Sequence, residues 1–491
     1  MRFHAETQRR REGEEKKGKR LVLLNPPGRR VYLRDYFCSK VSQADYIHHP
    51  IDLVFLSGYL KKDYELELVD AIVEKLGPDE CLQRLDEIGP EVVVGLIGSV
   101  SYEEDVPFYR QLGERLPSVR LFLVGDVLIE RRQQRLSEMP FAEGFLHDFS
   151  SPDLLRHLRG EPSVRNLTLR RDGVVEALPL ERLRGATFRL PRPEHGLFLD
   201  RPYRYPFVRR SRFATLMTDF GCPYRCSFCI MSTLGWKQRP VGDVLEELEE
   251  LGRMGVGELF FLDQTFGIPR SRSRELLEGM RRLPHRFGWV CFSRPDLMDD
   301  ALAARMKSAG CHTVILGLES GSQQLLDAVC KDARKEEILQ GFRRCSSHGL
   351  RSVATVLLGL PEETEETFQQ TLDFLRQADP DFASFNVAVP RLGTPFREKA
   401  LRLGLIDRQF EVMDQSGNPV AMPTLTLDRR QVAALRRRAV RGFYGRPGYW
   451  RKRLSHWARR DGALFSDLRI QLQQGYRLLC NYLASIEAGR E

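Results

Sequence analysis

The stretch Phe213-Ala-Thr-Leu-Met217-Thr-Asp-Phe-Gly221-Cys222-Pro-Tyr-Arg-Cys226-Ser-Phe-Cys229 runs from a short apolar segment straight into three closely spaced cysteines. An apolar run of this length reads as a strand buried on both faces, the pattern of a parallel sheet. Downstream the pattern recurs, with apolar runs at 259–262, 289–292, 313–316, 353–358 and 385–389. Helical periodicity fills the intervals, at 241–254, 271–282, 302–309, 336–345 and 364–375. Six strand–helix units in a row predict a partial (β/α)6 barrel of TIM type over residues 211–405, with right-handed crossovers and its chemistry at the carboxyl ends of the strands. The three cysteines then lie on the loop that follows the first strand.

Working outward, residues 20–160 show the same alternation in a looser form, with apolar runs at 21–24, 66–69, 92–97 and 121–124 and a helical stretch at 51–60. These predict a Rossmann-like open parallel α/β domain, a fold that takes ligands at its strand ends. Asn25-Pro26-Pro27-Gly28 and Gly98-Ser99 sit just after two of those runs and read either as ligand loops or as plain turns. Residues 161–210, rich in Arg and Pro, read as a linker. Residues 1–19 form a basic tail expected to be disordered, and 406–491 a basic, mostly helical segment. Tyr444, Arg446 and Tyr449 in that segment read as pocket lining or, more commonly for a helical aromatic stripe, as core.

Bulk composition fits several soluble domains: 491 residues, 42% hydrophobic and 29% charged. No stretch has the length and apolarity of a membrane span or of a secretory signal, so the cytoplasm is the expected location. The net charge of +9 gathers at the two ends. Such runs are solvated faces or surfaces for nucleic acid or acidic lipid. Of the ten cysteines, Cys38, Cys81, Cys291, Cys311, Cys330, Cys345 and Cys480 stand alone and read mostly as small buried hydrophobes.

Cys222, Cys226 and Cys229 are different because they cluster. Three thiolates hold a four-iron, four-sulfur cluster by three corners and leave one iron open to a ligand. A structural zinc site would need a fourth ligand, and no second Cys or His pair is near; a disulfide would leave one thiol over.

The Cys-x3-Cys-x2-Cys spacing, with the aromatic Phe228 before the last cysteine, resembles the radical S-adenosylmethionine superfamily over about residues 215–395. The resemblance implies a [4Fe-4S] cluster whose open iron is chelated by the amino and carboxylate groups of S-adenosylmethionine. One electron then cleaves the sulfonium to methionine and a 5′-deoxyadenosyl radical, which takes a hydrogen atom from an unactivated carbon. Other segments match in order. Phe261-Leu-Asp263-Gln-Thr-Phe266 resembles the segment near the methionyl amine, although Asp263 is equally readable as an N-cap for the helix from Pro269. Arg294, in Phe292-Ser-Arg-Pro-Asp296, would meet the ribose or carboxylate, with a salt bridge as the other reading. Glu319 and Ser320, in Gly317-Leu-Glu-Ser-Gly321, would meet the ribose hydroxyls, and Gly359 would let the backbone pass close to the adenine. Pro390-Arg-Leu-Gly-Thr-Pro395 completes the set.

The order of an α/β domain, this barrel and a basic helical tail resembles the cobalamin-binding subgroup, whose members include methylases of unactivated carbon. That resemblance places a cobalamin near Asn25, Pro26, Gly98, Ser99 and Gly125. Two signatures depart from the subgroup. Ile72 stands where an Asp-x-His-x-x-Gly motif would supply an axial histidine, and Leu123-Val-Gly125-Asp126-Val127 replaces a Gly-Gly-Pro-His turn. The implied partners are a small-molecule or lipid substrate and a reductant such as flavodoxin or ferredoxin. The basic tail keeps an RNA-modifying, methylthiotransferase-like enzyme as the alternative, against which only Cys38 and Cys81 precede the barrel where such enzymes carry three further cysteines. A non-catalytic iron–sulfur module is the third reading. Neither the substrate nor the oligomeric state is written in any motif.

Overall fold

The computed structural model describes residues 19–37, 39–42, 46–410, 413–415 and 420–458, with 453–458 described by their backbone only. Most of the basic N-terminal tail, Cys38, Cys480 and the chain after residue 458 lie outside the described residues.

The N-terminal sheet contains β1 (Arg20–Asn25), β2 (Glu65–Asp70), β3 (Val92–Leu96), β4 (Arg120–Val124), β5 (Gly144–Leu146), β6 (Leu167–Arg171) and β7 (Val174–Ala177). Their spatial order is β2-β1-β3-β4-β5-β6-β7, parallel through β5 and antiparallel thereafter. β1, β3, β4 and β5 are apolar runs because helices cover both faces, whereas the edge strand β2, Glu65-Leu-Glu-Leu-Val-Asp70, alternates; Ile51–Leu60 is buried along its entire length. The antiparallel pair corrects the expected boundary: the domain runs past residue 160 to Ala177, inside the predicted linker. Leu167-Thr-Leu-Arg-Arg171 followed by Val174-Val-Glu-Ala177 alternates apolar with polar, the signature of a half-exposed edge hairpin rather than a tether. The rest of the linker is structured too. Its strand Arg184–Thr187 pairs with Trp236–Gln238, which pairs in turn with Asp219–Gly221, so the linker is woven under the cysteine loop.

The second sheet is β8 (Ala214–Leu216), β9 (Glu258–Phe261), β10 (Gly288–Ser293), β11 (Cys311–Glu319), β12 (Arg351–Leu358) and β13 (Phe382–Val387), hydrogen-bonded in sequence order and parallel throughout. This is the predicted partial barrel. One strand is displaced: β13 begins at Phe382, three residues before the expected run.

Alternation along each strand sorts side chains into a helix-facing set and a lumen-facing set. Leu259, Phe261, Trp289, Cys291, Leu316 and Ala354 pack with the outer helices, whereas Phe260, Val290, Ile315, Val353 and Phe382 form the lowest inward layer. Beneath that layer the barrel is plugged by Tyr205, stacked 4.1 Å from Phe260, by His48 at 5.4 Å from the same ring, and by Phe207 at 5.6 Å from Phe382. The open edge at β13 is covered by the helix Arg429–Tyr444. Tyr444 Oη donates to Ala383 O at 2.7 Å, and Arg436 Nε donates to Phe385 O at 3.0 Å. Tyr449 is buried against Phe443 on that outer side, so the aromatic stripe is core. No helix among the described residues is long and apolar enough to cross a membrane.

Candidate functional site

Above the plug, inward residues change character. Phe292, Gly317, Thr355 and Ser384 remain partly accessible inside a largely buried sheet, and Gly317, Thr355 and Ser384 align in register across three strands. One step higher come Gln264, Arg294, Glu319, Leu357 and Asn386. The barrel is thus closed and apolar below, open and polar above. Sequence reading missed Gln264, Thr355, Ser384 and Asn386, whose only signal is their even spacing on strands already assigned.

The cysteine loop leaves β8 over this opening. Gly221 adopts φ +88°, a conformation that favours glycine, and a side chain there would collide with the carbonyl of Gly235. Cys222 N donates to that same carbonyl at 3.2 Å, and Ser227 N donates to Val329 O at 2.9 Å, so both ends of the motif are tied to neighbouring segments. Asp263 accepts from the backbone N–H groups of Thr218 and Asp219, at 2.5 and 3.1 Å, and fastens the approach to the loop. Burial, and then the neighbouring Asp263, hold the Asp219 carboxyl well above its ordinary range. Asp263 caps no helix, because the helix Arg270–Arg282 starts behind Pro269.

Cys226 is buried, and Cys222 and Cys229 are partly accessible. Burial pushes the Cys222 and Cys226 thiols up. Thr265, whose Oγ1 lies 3.5 Å from Cys222 Sγ, draws the first back, and Lys331 and Arg294 draw the second back. Among the described residues, no three His, Cys, Asp or Glu side chains converge on a single-ion position.

Arg294 is placed beside the loop but fully engaged. Its guanidinium lies 3.8 Å from the Tyr224 ring centroid, and it donates to Cys226 Sγ at 3.8 Å, Lys331 O at 2.7 Å, Asp332 O at 2.9 Å and the Asp296 carboxylate at 3.0 Å. Its first task is to brace the cysteine loop. Glu319 follows a bulge in β11, takes φ +59° and accepts from Lys331 Nζ at 2.9 Å. The ammonium of Lys331 stands directly over Gly317, where a side chain would displace it. Lys331 was not legible in the sequence, since it comes from a turn outside every motif.

Ser320 and Gly359 point elsewhere. Ser320 Oγ accepts from Ser322 N at 3.1 Å and meets Thr371 Oγ1 at 3.2 Å, facing a helix. Gly359 is bordered by Val432 and Val387, and its N–H donates to the buried Glu363 carboxylate. Phe228 is partly buried against the apolar cluster that includes Leu325, Leu360, Ala388 and Phe396.

Across the mouth stands the carboxyl edge of the N-terminal sheet. Arg391 reaches Asp126 at 3.9 Å, Arg397 reaches Glu130 at 3.6 Å, Lys237 reaches Asp148 at 2.6 Å, and the Phe37 ring lies 6.0 Å from Phe220. Ser99 donates to Asp126 through both N and Oγ, at 2.9 and 2.8 Å. A side chain at Gly125 would collide with the carbonyl of Ile97. Of the residues predicted for cobalamin, Ser99 bonds to Asp126 at this interface and Gly125 precedes it, whereas Asn25, Pro26 and Gly98 bond or pack with Arg34 inside the N-terminal domain. His48 and His49 lie under the barrel, away from it.

A parallel half-barrel with three thiols over a polar lumen defines an iron–sulfur enzyme. The Radical SAM superfamily model matches residues 219–375, so this segment is a radical S-adenosylmethionine domain, with a [4Fe-4S] cluster and S-adenosylmethionine as its cofactors. An uncharacterized methyltransferase of Pyrococcus horikoshii is 26% identical over 413 residues, 81% of this chain and 88% of that protein. Two solved structures share the fold. The radical S-adenosylmethionine methyltransferase TsrM of Kitasatospora setae, with cobalamin and a [4Fe-4S] cluster bound, has a TM-score of 0.60 at 19% identity, covering 78% of each chain. The cobalamin-dependent S-adenosylmethionine radical enzyme OxsB, with aqua-cobalamin bound, has a TM-score of 0.65 at 14% identity, covering 96% of this chain and 81% of that one.

Proposed function

We propose that this radical S-adenosylmethionine enzyme methylates an unactivated carbon of a small molecule, with a corrinoid held between its two domains. One observation carries the reading: the carboxyl edges of two parallel sheets face each other across a cavity at the cysteine loop. The cavity, about 10 Å3 and so room for about one water, is lined by Phe37 and Ile129 on one side and by Ile230, Leu392 and Met413 on the other, together with Ser99, Asp126 and Arg391. Apolar walls with a hydrogen-bonding rim suit the face and amide-bearing edge of a corrin. The cavity is smaller than the macrocycle, so loading requires the Arg391–Asp126 and Arg397–Glu130 contacts to part.

The cofactors supply an electron, a radical and a transferable methyl group, and the protein supplies placement. Arg294 and Tyr224 brace the thiolate loop, and Lys331 puts a fixed positive charge beside Cys226. Thr355, Ser384, Gln264 and Asn386 offer hydrogen bonds inside the lumen, and the N-terminal domain covers the mouth and excludes water. Salt-bridged closure of that kind serves a small substrate better than a folded RNA. Cys81, one of the two upstream cysteines, is buried on the inner face of the helix Pro78–Ile88 and free for no second cluster.

The test is anaerobic. Reconstituted, reduced protein is expected to convert S-adenosylmethionine to 5′-deoxyadenosine, to retain corrinoid on gel filtration, and to pass a deuterated methyl group from labelled S-adenosylmethionine to that corrinoid. Cleavage without corrinoid retention would end the methylase reading and leave the radical chemistry standing.

A further inference from the structure

An open α/β sheet takes its ligand in the crevice where strand order reverses, outside the carboxyl ends. In the order β2-β1-β3-β4-β5 that reversal falls between β1 and β3. The crevice walls are the loop after β1, Asn25-Pro26-Pro27, and the loop after β3, from Gly98 to Ser101.

The crevice is filled by the chain's own Arg34, which is 2% exposed. Nη1 donates to Asn25 Oδ1 at 2.9 Å and to Pro26 O at 2.8 Å; Nη2 donates to Pro27 O at 2.9 Å and to Asp105 Oδ1 at 2.7 Å; Nε donates to Ser101 Oγ at 3.0 Å and to the Asp105 carboxylate at 3.1 Å. Both side chains of the Arg34–Asp105 ion pair are wholly inaccessible. A side chain at Gly98 would be pressed by Ser101 Oγ, Ser39 Cβ and the Arg34 stem, at 3.0, 3.1 and 3.2 Å from where its Cβ would stand. On the far side, Asn25 Nδ2 donates to Asp70 Oδ1 at 2.9 Å, and Tyr203 Oη donates to Asp70 Oδ2 at 2.7 Å. Gly28, next in the β1 loop, is backed by Tyr32 and Ile72. Every guanidinium nitrogen of Arg34 thus has partners inside the domain, so it fills space and leaves no donor for an incoming anion. Removing it would strand a buried carboxylate, which makes the plug costly to displace.

We infer that this chain recognises a corrinoid by its ring alone, with Arg34 denying the switch-point crevice to the nucleotide tail. The inference rests on the corrinoid reading proposed above and makes a distinct demand: a corrinoid with a tail and one without should bind alike. Arg34 is a specificity-determining residue, acting by exclusion.

The experiment titrates the full chain, anaerobic and cluster-loaded, with aquacobalamin and separately with diaquacobinamide, reading retention on a filter and the absorbance change. Dissociation constants within about fivefold of each other are expected, a gap of about 1 kcal/mol or less. A larger preference for cobalamin would show that a tail site exists and overturn the inference. Binding of neither corrinoid would overturn it together with the methylase reading, whereas the first failure leaves that reading intact. The double variant Arg34→Ala/Asp105→Asn opens the crevice without leaving a buried charge. It is expected to gain at least tenfold preference for cobalamin over cobinamide, with folding checked by circular dichroism. An unchanged ratio in the folded variant would overturn the role of Arg34, and should the variant fail to fold, the wild-type ratio still decides.

Discussion

The chain builds a parallel sheet twice and uses its carboxyl edge in two opposite ways. In the N-terminal sheet the polar residues at the strand ends bond to each other: Asn25 to Asp70 and Arg34, Arg34 to Asp105, and Ser39 and Ser99 to Asp126. In the barrel the equivalent residues, Gln264, Thr355, Ser384 and Asn386, are left partly accessible around three thiols. A ligand edge is therefore a capacity of the fold. Whether it becomes a site depends on how much of its hydrogen-bonding ability the chain spends on itself.

The sharpest way to break the contrast is at the cysteines. Cys226→Ala is expected to abolish cluster reconstitution and all formation of 5′-deoxyadenosine, measured by iron content and chromatography. Cys345→Ala, a buried thiol between helix and sheet, should keep the cluster and cost about 1 kcal/mol in chemical denaturation. Equal loss in both would mean that the cysteine loop is structural. Next in size is Lys331→Met. It leaves Glu319 buried without its 2.9 Å partner, which costs about 3–5 kcal/mol, and it removes one of two positive charges beside Cys226. Adding Glu319→Gln should restore stability without restoring affinity for S-adenosylmethionine, which is expected to stay about tenfold weaker by equilibrium binding. Full affinity in that double variant would confine Lys331 to a structural part.

A smaller effect comes from Glu363, which joins the barrel's rim to the C-terminal segment through Thr424 and Thr426, both donating to its carbonyl, at 3.1 and 2.9 Å. Burial raises its carboxyl to about 7, partly offset by the N–H of Gly359. An acid whose pKa is raised in the fold is protonated there while the unfolded chain has already ionised. Stability should therefore fall as pH rises from about 4.5 to 7 and level off above, by roughly 3 kcal/mol. Glu363→Gln keeps an oxygen for Gly359 and should flatten that slope in denaturation curves taken across the window. A slope that survives the substitution would assign it to other groups.

The same contrast governs what the sequence made legible. Strands buried on both faces announce themselves as apolar runs, and so β8 to β12 were readable. In β13, Phe382-Ala-Ser-Phe-Asn-Val387, the inward positions Ser384 and Asn386 are polar because they line the lumen, and they break the run; reading for apolarity slid the strand three residues along. The site hid the element that carries it. The hairpin β6–β7 was passed over for a related reason, since its exposed positions Arg171, Val174 and Glu176 form no apolar run and read as linker. The cysteine motif was legible because its ligands are contiguous. Lys331 and Arg34 were not, because each acquires its role from groups 7 to 71 positions away that only folding brings near.

The smallest expected effect probes the lumen. Asn386 is partly accessible at the top of β13 and lies opposite Leu357 in the strand register. A side chain so placed contributes little to folding, so Asn386→Ala should change stability by less than about 0.5 kcal/mol. If the upper lumen holds the reacting molecules, the same change removes a hydrogen bond from one of them, worth about 1 kcal/mol. Binding of S-adenosylmethionine or substrate should weaken about fivefold, with the cluster's absorbance unaltered. Applied at Ser99, on the opposing edge, truncation to Ala should do the reverse. There the hydroxyl bonds to Asp126 at 2.8 Å within the protein, so stability falls by about 1 kcal/mol while S-adenosylmethionine affinity holds. A matched response at the two positions would erase the distinction between an edge spent on itself and an edge held open.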